Sequence, residues 1–441
     1  MSPSHFFLVL FLVYAGLFFT ESIYHEYIVN TYTQWDQYNP SIDADDEGNF
    51  VITWVSDKQD GELTGIFARM FYKNGYPKGP EFQVNTAWEH LQEWPAVAVG
   101  RTGNFVITWV SYIIEGQSGA GLSARVFDKD GNPISSEFQV NDYTGGYQGE
   151  PAAAMDGEGN FVIVWQSWEQ DRDSFGIFAR KYDQNGNPQG PEFQVNNYSE
   201  NDQIHPAIAM DKDGNFVVVW TSYGQDGDKT GIFAQRFSRD GNRLGSEFRV
   251  NFSTVGWQEW PDIAMDESSN FIICWHSYQY SEDSYEIFAR TFDKTTILKG
   301  TEFRVNSHSE DWQIFPTIDA DKEGNFLIAW QSLEQNGDSF GIFAKIFDQY
   351  GQPQGKEFQV NNSVLGSQEA PDVIMFDKQN FGIAWQSFQQ DDSGWDIYAR
   401  IFKNHTNLLN KPREFNIKKH EFKKIFHFSS RFSAHTTVKS F

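Results

Sequence analysis

A tryptophan recurs along the chain at an almost constant interval, and this period constrains the fold more than any other feature. Seven tryptophans sit in near-identical contexts, such as the phrase Gly-Asn-Phe-Val-Ile-Val-Trp-Gln-Ser at 159–167, and are spaced 55 or 56 residues apart. They are Trp54, Trp109, Trp165, Trp220, Trp275, Trp330 and Trp385. A sustained period of this length predicts one repeat array rather than several unrelated domains.

One repeat reads as four short strands separated by turn signals. In the unit 203–251, apolar runs at 208–210, 216–220 and 232–237 are followed by Glu-Phe-Arg-Val-Asn at 247–251, with Asp-Gly-Asn turns between strands. Four short strands with no helical period are typical of a propeller blade. The sequence therefore predicts an all-β, seven-bladed β-propeller with four antiparallel strands per blade, and an open solenoid is the alternative.

The last strand of the repeat also occurs before the first tryptophan. Glu26-Tyr27-Ile28-Val29-Asn30 is a variant of Glu-Phe-x-Val-Asn and stands at the same 28-residue distance from the next tryptophan as its counterparts. We expect this N-terminal strand to complete the last blade and close the ring, which would remove both exposed edges. Residues 414–417 are a rival candidate for that strand.

The two ends of the chain differ in composition from the repeats. The uncharged run at 6–19 predicts a signal peptide over 1–22, the propeller fills 23–402, and 403–441 is a basic tail. We therefore expect a monomer that is secreted or displayed on the extracellular surface, with no membrane span beyond the signal peptide. The formal charge of −26 argues against nucleic acid and anionic membranes as partners. Cys274, the single cysteine, is expected to be a buried apolar residue.

Binding residues are expected in the loops that join one blade to the next, because these are the longer and more variable ones. These loops carry a Gln-x-x-Pro motif in all seven repeats and several additional tryptophans. Tryptophan with amides suits carbohydrate, whose C–H faces stack on flat rings. The candidate ligand-binding residues are Trp94, Trp257, Trp260, Trp312, Gln203, Gln258 and Gln313. The structural alternative is that the amides satisfy backbone groups and the rings fill gaps between blades.

The loop between the second and third strands is acidic in several repeats. Asp171, Asp173, Asp226 and Asp228 offer carboxylates beside glycine or amide residues, which are ligands that calcium prefers. They are the candidate metal ligands, with solvated acidic loops as the alternative. No other cofactor is expected.

The unit phrase resembles a known type of tandem repeat. Gly-Asn-Phe-Val-Val-Val-Trp-x-Ser, Gly-Ile-Phe-Ala-Gln-Arg-Phe and Glu-Phe-x-Val-Asn, as found in 214–251, are similar to repeats of large bacterial secreted and surface proteins. The resemblance covers 26–402. It implies a β-propeller that often accompanies calcium-binding or adhesion modules.

No catalytic constellation is evident in the sequence. The histidines His90, His205 and His276 fall at different repeat positions, and no hydrolase or metalloprotease motif is present. The main expectation is a non-catalytic binding or adhesion propeller whose partner is a glycan or an extracellular protein. One alternative is a carbohydrate-active enzyme, a glycosidase or lyase, with converging carboxylates near the atypical loop at 111–121. A structural surface protein is the other.

Overall fold

The structure is a computed structural model that describes residues 26–403 except for 62, 88–89, 113–118, 280–283, 336, 338, 389 and 391–393. The chain divides into two compact units, Met1–His405 and Thr406–Phe441, and every described residue belongs to the first. The expected signal peptide, the rival strand at 414–417 and the basic tail beyond Lys403 lie outside the described residues. Within the described part, no helix is long and apolar enough to cross a membrane.

The described residues form 28 β-strands. The first seven are β1 (Tyr27–Ile28), β2 (Gln37–Ala44), β3 (Phe50–Asp57), β4 (Thr64–Phe71), β5 (Phe82–Gln83), β6 (Leu91–Val99) and β7 (Phe105–Tyr112). The next are β8 (Gly119–Phe127), β9 (Phe138–Gln139), β10 (Gly146–Met155), β11 (Phe161–Trp168), β12 (Phe175–Tyr182), β13 (Phe193–Gln194) and β14 (Gln203–Met210). Then follow β15 (Phe216–Tyr223), β16 (Thr230–Phe237), β17 (Phe248–Arg249), β18 (Trp257–Met265), β19 (Phe271–Tyr278), β20 (Tyr285–Phe292) and β21 (Phe303–Arg304). The last are β22 (Gln313–Ala320), β23 (Phe326–Leu333), β24 (Phe340–Phe347), β25 (Phe358–Gln359), β26 (Gln368–Asp377), β27 (Asn380–Phe388) and β28 (Trp395–Phe402).

The strands are arranged in five four-stranded sheets and one sheet of eight strands. Four of the small sheets run in simple sequence order, such as β14-β15-β16-β17, and the fifth has the order β1-β28-β27-β26. The eight-stranded sheet contains two such units, which are joined where β10 runs parallel to β8 over two residue pairs. This repeated architecture confirms that the described part of the chain is all-β and is consistent with a β-propeller.

Packing between neighbouring sheets explains why the second strand of each unit is apolar on both faces. In β15, every residue from Phe216 to Ser222 is buried. Trp220 packs in one cluster with Val162 and Val164 of the preceding unit, and all seven repeat tryptophans are fully buried. Because both faces of this strand are buried, apolar residues follow one another from Phe216 to Trp220 without alternating with polar ones. Cys274 is also fully buried, as expected.

The fourth strand is shorter than the sequence predicts, because side chains replace part of its hydrogen-bond ladder. The expected strand at 247–251 is reduced to Phe248–Arg249. Asn251 Oδ1 accepts the backbone N–H of Ile232 at 2.8 Å, and Glu247 Oε2 accepts that of Asn197 at 2.6 Å. These bonds occupy the backbone donors that would otherwise extend the ladder, and they recur in the other repeats.

The first strand is longer than the apolar run at 208–210 indicates. β14 begins at Gln203 and passes through Pro206 by a register shift between Ile204 and Ala207. A bulge tolerates proline, which has no N–H to give to the ladder. The same register shift recurs in the first strand of each repeat, at the Gln-x-x-Pro motif.

Candidate active site

The residues just before the seven Gln-x-x-Pro prolines share an uncommon backbone conformation. Their φ angles lie between 49° and 56°, in the left-handed region. We call them the mouth residues: Asn39, Trp94, Glu150, His205, Trp260, Phe315 and Ala370. Residues before proline normally adopt extended conformations, so this one carries a local energetic cost that the surrounding fold must offset.

Six of the seven mouth residues, all but Phe315, line a single cavity of 260 Å³, which we call the mouth cavity. The prolines that follow them and Asp372 complete its lining. Since these residues come from six different repeats, the first strands of those repeats converge on the cavity. The left-handed conformation thus places one variable side chain per repeat around a common centre.

Side chains of the preceding repeat hold several mouth residues in place. In five of the seven repeats, the side chain directly after the buried tryptophan accepts the backbone N–H of the next mouth residue. Gln166 Oε1 accepts from His205 at 3.0 Å, and Gln331 Oε1 accepts from Ala370 at 2.9 Å. Thr221 does the same for Trp260. These bonds offset part of the conformational cost and fix the direction of the mouth side chains.

A glutamate and a histidine form a close pair in the lining of the mouth cavity. Nδ1 of His205 lies 2.6 Å from Oε2 of Glu150, and both side chains are mostly buried. One face of the His205 imidazole stacks on the indole of Trp260, with ring centroids 3.7 Å apart and an interplanar angle of 21°. A carboxylate that engages Nδ1 orients the ring and leaves Nε2 for proton exchange, which is the arrangement of a general acid–base pair.

A second carboxyl group, that of Glu93, belongs to the residue directly before Trp94 of the cavity lining. Burial raises the pKa of Glu93 to about 7, and repulsion from Asp57 adds to the rise, while hydrogen bonds from Tyr38 and Thr64 oppose it. The Tyr38 hydroxyl lies 2.9 Å from Oε1 of Glu93. A carboxyl with a pKa near neutrality can hold a proton and release it, which suits a proton donor.

Two hydrogen-bonded tyrosines, Tyr112 and Tyr147, are influenced by the charges of both carboxyl groups. Burial raises the pKa of Tyr112 and of Tyr147, and the charges of both Glu93 and Glu150 contribute to the rise. The two rings are 6.2 Å apart. Since both glutamates act electrostatically on the same tyrosines, Glu93 and Glu150 belong to one electrostatic cluster.

On the other side of Trp260, aromatic rings continue from the mouth towards the rim. Phe315 meets Trp260 edge-on at 4.9 Å, and His276 lies 5.6 Å from Phe315. Burial lowers the pKa of His276. Its Nδ1 accepts the backbone N–H of Phe315 at 3.3 Å, so the neutral ring holds this mouth residue as glutamine does elsewhere.

Below the mouth cavity, four aspartates bridge adjacent first strands. For example, Asp319 accepts the N–H of Met375 at 2.7 Å, and Asp262 accepts that of Ile318 at 2.9 Å. Burial raises the pKa of Asp43 and of Asp262 to about 7 and that of Asp372 to about 6, and it raises that of Asp319 as well. Asp372 adds repulsion to each of the other three.

At the opposite end of these strands, four side chains form a cycle of ion pairs. Arg101 lies 3.1 Å from Glu267 and 3.5 Å from Asp46, and Lys322 lies 3.7 Å and 3.3 Å from the same two carboxylates. The four residues belong to four different repeats and line a second cavity, of 250 Å³. We therefore take the mouth cavity as the end at which a ligand would bind.

The structure places two of the four candidate tryptophans in the mouth cavity and two away from it. Trp94 and Trp260 line the cavity. Trp312 is 45% exposed and meets Tyr285 edge-on, while Trp257 packs edge-on against Tyr223. Trp88, another tryptophan of these loops, lies outside the described residues.

The three candidate glutamines are buried, and their side chains form hydrogen bonds with other residues of the protein. Gln313 Oε1 accepts the indole N–H of Trp330 at 2.9 Å, and Gln258 Oε1 accepts that of Trp275 at 3.3 Å. Gln203 Oε1 accepts from Asn196 at 2.9 Å. These bonds are what the structural interpretation of Gln-x-x-Pro expects, and a role in ligand binding stays a prediction.

The four candidate metal ligands accept hydrogen bonds from neighbouring groups. Asp171 accepts from Gln194 and Asp226 from Asn251, while Asp173 and Asp228 accept backbone N–H groups of the following loop. Among the described residues, no group of three or more histidine, cysteine or acidic side chains could hold a metal ion. Calcium binding at these aspartates stays a prediction.

Sequence reasoning did not select Glu93, Glu150 or His205. The signal was nevertheless present, because Glu150 and His205 occupy the same position of consecutive repeats, 55 residues apart. Equivalent positions of consecutive repeats are neighbours in such a fold. Two charged side chains at the same position of adjacent repeats therefore lie close together. The atypical loop expected to mark an enzyme is largely outside the described residues, at 113–118, but Tyr112 at its start belongs to the cluster.

Comparison with known proteins identifies the fold. No family model and no curated protein matches the chain. Among solved structures, it is similar to a protein of unknown function from Dyadobacter fermentans, with a TM-score of 0.52 and 10% identity over 73% of this chain and 97% of the other. It is also similar to a polysaccharide lyase, ulvan lyase, bound to -[GlcA(1-4)Rha3S]-, with a TM-score of 0.52 and 10% identity over 87% and 96%. A third match is the β-propeller domain of the Trilobed protease from Pyrococcus furiosus, with a TM-score of 0.48 and 10% identity over 83% and 94%.

The main functional expectation from the sequence, a non-catalytic binding propeller, is wrong in the light of this comparison. A solved structure of similar fold and almost the same extent is a carbohydrate-active enzyme, which favours the enzymatic alternative. The likeness at 10% identity shows the fold alone.

Proposed function

We propose that the protein is a carbohydrate-active enzyme that cleaves a glycan in the mouth cavity by general acid–base catalysis. The observation that carries the proposal is the contact of 2.6 Å between Glu150 and His205 in the lining of that cavity. The Glu93 carboxyl, with its raised pKa, lies in the same electrostatic cluster. The similarity to ulvan lyase supports the class of activity by analogy.

The proposal includes a closed ring of seven blades as the scaffold. The eight-stranded sheet then counts as two neighbouring blades that touch through the short parallel pairing of β8 and β10. β1 supplies the outer strand of the last blade, since Tyr27 pairs with Ala399 and Ile28 with Tyr398. The inner strands of the first and last repeats are also joined, because Asp372 accepts the N–H of Ile42 at 2.8 Å.

The aromatic residues of the mouth suit a sugar. Trp94 and Trp260 line the cavity together with the carboxylate of Glu150. A sugar presents C–H faces to flat rings and hydroxyl groups to carboxylates and amides, so this combination can bind and orient one. Exposed Trp312, at the outer end of the aromatic series, would contact a more distant unit of the same chain.

The acid–base groups can then act on the bound glycan. We assign the Glu150–His205 pair to proton abstraction and Glu93 to proton donation. The assignment follows from the pairing of Glu150 with an oriented imidazole and from the raised pKa of Glu93. Each positioned proton transfer of this kind typically contributes about 10²–10⁴-fold to the rate.

A polysaccharide panel tests the proposal. The purified protein is incubated with each polymer, and new chain ends are measured as reducing sugar and as ultraviolet absorbance of an unsaturated product. We expect cleavage of at least one polymer and a loss of about 10²-fold or more in Glu150→Gln. Glu158→Gln is the matched control, since Glu158 is exposed and outside the mouth cavity. Equal activity of both variants would contradict the assignment, and no cleavage of any polymer would contradict the function.

A further inference from the structure

We infer that the substrate of the mouth cavity is a glycan without carboxylate or sulfate groups, and that its glycosidic bond is hydrolysed rather than broken by elimination. This inference rests on the proposed function and concerns the same site. The inferred substrate differs from the ligand of ulvan lyase, whose structure was solved bound to -[GlcA(1-4)Rha3S]-. The charges that this chain places in and near the cavity favour an uncharged substrate.

Acidic residues lie in the lining of the mouth cavity and directly before several mouth residues. Glu150 and Asp372 line the cavity itself. Three further glutamates, Glu93, Glu259 and Glu369, occupy one repeat position, directly before a mouth residue. All three are partly buried, and burial raises the pKa of Glu93 and of Glu369, so their carboxyl groups lie in surroundings that already disfavour negative charge.

A sugar carboxylate in this cavity would add a further negative charge to that set. The side chain of the described lining that can carry a positive charge is His205, and it is already paired with Glu150. Repulsion between like charges is stronger near a partly buried site than in bulk water. An acidic glycan would therefore bind weakly, whereas hydroxyl groups can donate hydrogen bonds to these same carboxylates.

The kind of substrate also decides the chemistry. Elimination removes a proton beside a sugar carboxylate, so it needs an acidic sugar whose charge the enzyme stabilises. Hydrolysis needs no such group, since two carboxyl side chains are sufficient. In the proposed step, Glu93 gives its proton to the glycosidic oxygen as the C–O bond breaks. A water molecule adds its oxygen to the anomeric carbon, and its proton passes to the Glu150–His205 pair. Exchange with solvent then returns both groups to their starting states.

The first experiment compares uncharged with acidic polymers. Linear arabinan, mannan and β-glucan form one set, and alginate, polygalacturonate and a sulfated galactan form the other. We expect new reducing ends without an unsaturated product from the first set only. Cleavage of an acidic polymer with an unsaturated product would overturn this inference and leave the proposed function standing. No cleavage in either set would overturn both.

The second experiment changes the charge of the mouth without touching the acid–base groups. Ala370 lines the cavity, and Ala370→Arg adds a positive charge there, while Ala370→Gln adds a neutral side chain of similar reach. If repulsion excludes acidic sugars, Ala370→Arg should bind a galacturonate oligosaccharide about fivefold more tightly than Ala370→Gln, and salt should remove the difference. Tight binding of that oligosaccharide by the unsubstituted protein would contradict the inference.

Discussion

The indole of Trp260 covers one face of the His205 imidazole, with the ring centroids 3.7 Å apart. On its edge, the same imidazole contacts the Glu150 carboxylate. Three mouth residues from three consecutive repeats are thus in direct contact, although each is separated from the next by a full repeat of sequence. The stacked indole fixes the plane of the imidazole, and the contact with Glu150 selects the orientation in which Nδ1 faces the carboxylate.

Removal of this indole should impair both binding and the orientation of the histidine. We expect Trp260→Ala to raise KM about tenfold, because a ring that stacks on sugar contributes on the order of 1 kcal/mol beyond its buried area. The rate constant kcat should also fall. Steady-state kinetics on a cleaved polymer measure both values. Trp168→Ala is the control, because Trp168 packs on Phe175 outside the mouth cavity and should leave KM within about twofold.

If the N-terminal strand closes the ring as proposed, it should contribute to the stability of the whole protein. Asn30 is 1% exposed, donates to Gln37 and to Asp396, and accepts the backbone N–H of Ile397. We expect Asn30→Ala to lower the free energy of unfolding by about 2–4 kcal/mol, because buried partners lose their hydrogen bonds. Urea denaturation measures the change.

Asn196 provides a matched position within the array. It accepts the backbone N–H of Ile177 and donates to Gln203, as Asn30 does in the first and last repeats. Asn196→Ala should therefore have a similar cost. If Asn196→Ala destabilises the protein and Asn30→Ala does not, the N-terminal strand does not close the ring.

The buried aspartates should make the protein less stable as pH rises from about 4 to 7. Their pKa is raised in the folded state, to about 7 for Asp262 and about 6 for Asp372. A carboxyl with a raised pKa ionises more easily in the unfolded chain. Its contribution to the stability of the protein is fully present below the pKa that the group has in the unfolded chain. That contribution is lost as the pH rises through the pKa that the group has in the folded protein. We expect the free energy of unfolding to fall by at least about 1 kcal/mol over this interval.

One repeat suggests the control for this pH dependence. Ser41 stands where Asp262 stands in its own repeat, and its hydroxyl accepts the N–H of Val97. Asp262→Ser keeps an acceptor and removes a titrating group, so the unfolding free energy of the variant should depend less on pH. An unchanged slope would show that Asp262 does not titrate as described.

His276 should act as a hydrogen-bond acceptor and not as an acid–base group. Its neutral ring accepts the N–H of Phe315, as Gln331 does for Ala370. We expect His276→Gln to keep the activity within about threefold and His276→Ala to lower stability by about 1–2 kcal/mol. Thermal unfolding and steady-state rates measure the two effects. A large loss of activity in His276→Gln would instead assign this residue a chemical role.

Much of the fold could be predicted from the sequence, because the same local sequence patterns recur in the repeats. The buried tryptophan, the glycine turns and the double-sided apolar strand each follow from local patterns. The short fourth strand could not be predicted, since Glu247 and Asn251 satisfy backbone groups of other strands. Such bonds depend on tertiary neighbours rather than on propensity.

The candidate site was harder to predict, because the mouth residues adopt a conformation that their sequence disfavours. A residue before proline is expected to be extended, yet His205 has a φ of 56°. The bulge turns this side chain into the cavity, and no local pattern indicates it. Trp94 and Trp260 were selected for their chemistry alone, whereas the contact of Glu150 with His205 depends on the packing of neighbouring repeats.

A crystal structure of the Glu150→Gln variant with an oligosaccharide of the cleaved polymer would show whether the mouth cavity binds the substrate. We expect a sugar in the mouth cavity, stacked on Trp94 or Trp260, with its glycosidic oxygen within hydrogen-bond distance of Glu93. An oligosaccharide bound elsewhere on the protein, with the mouth cavity free of sugar, would show that this cavity is not the active site.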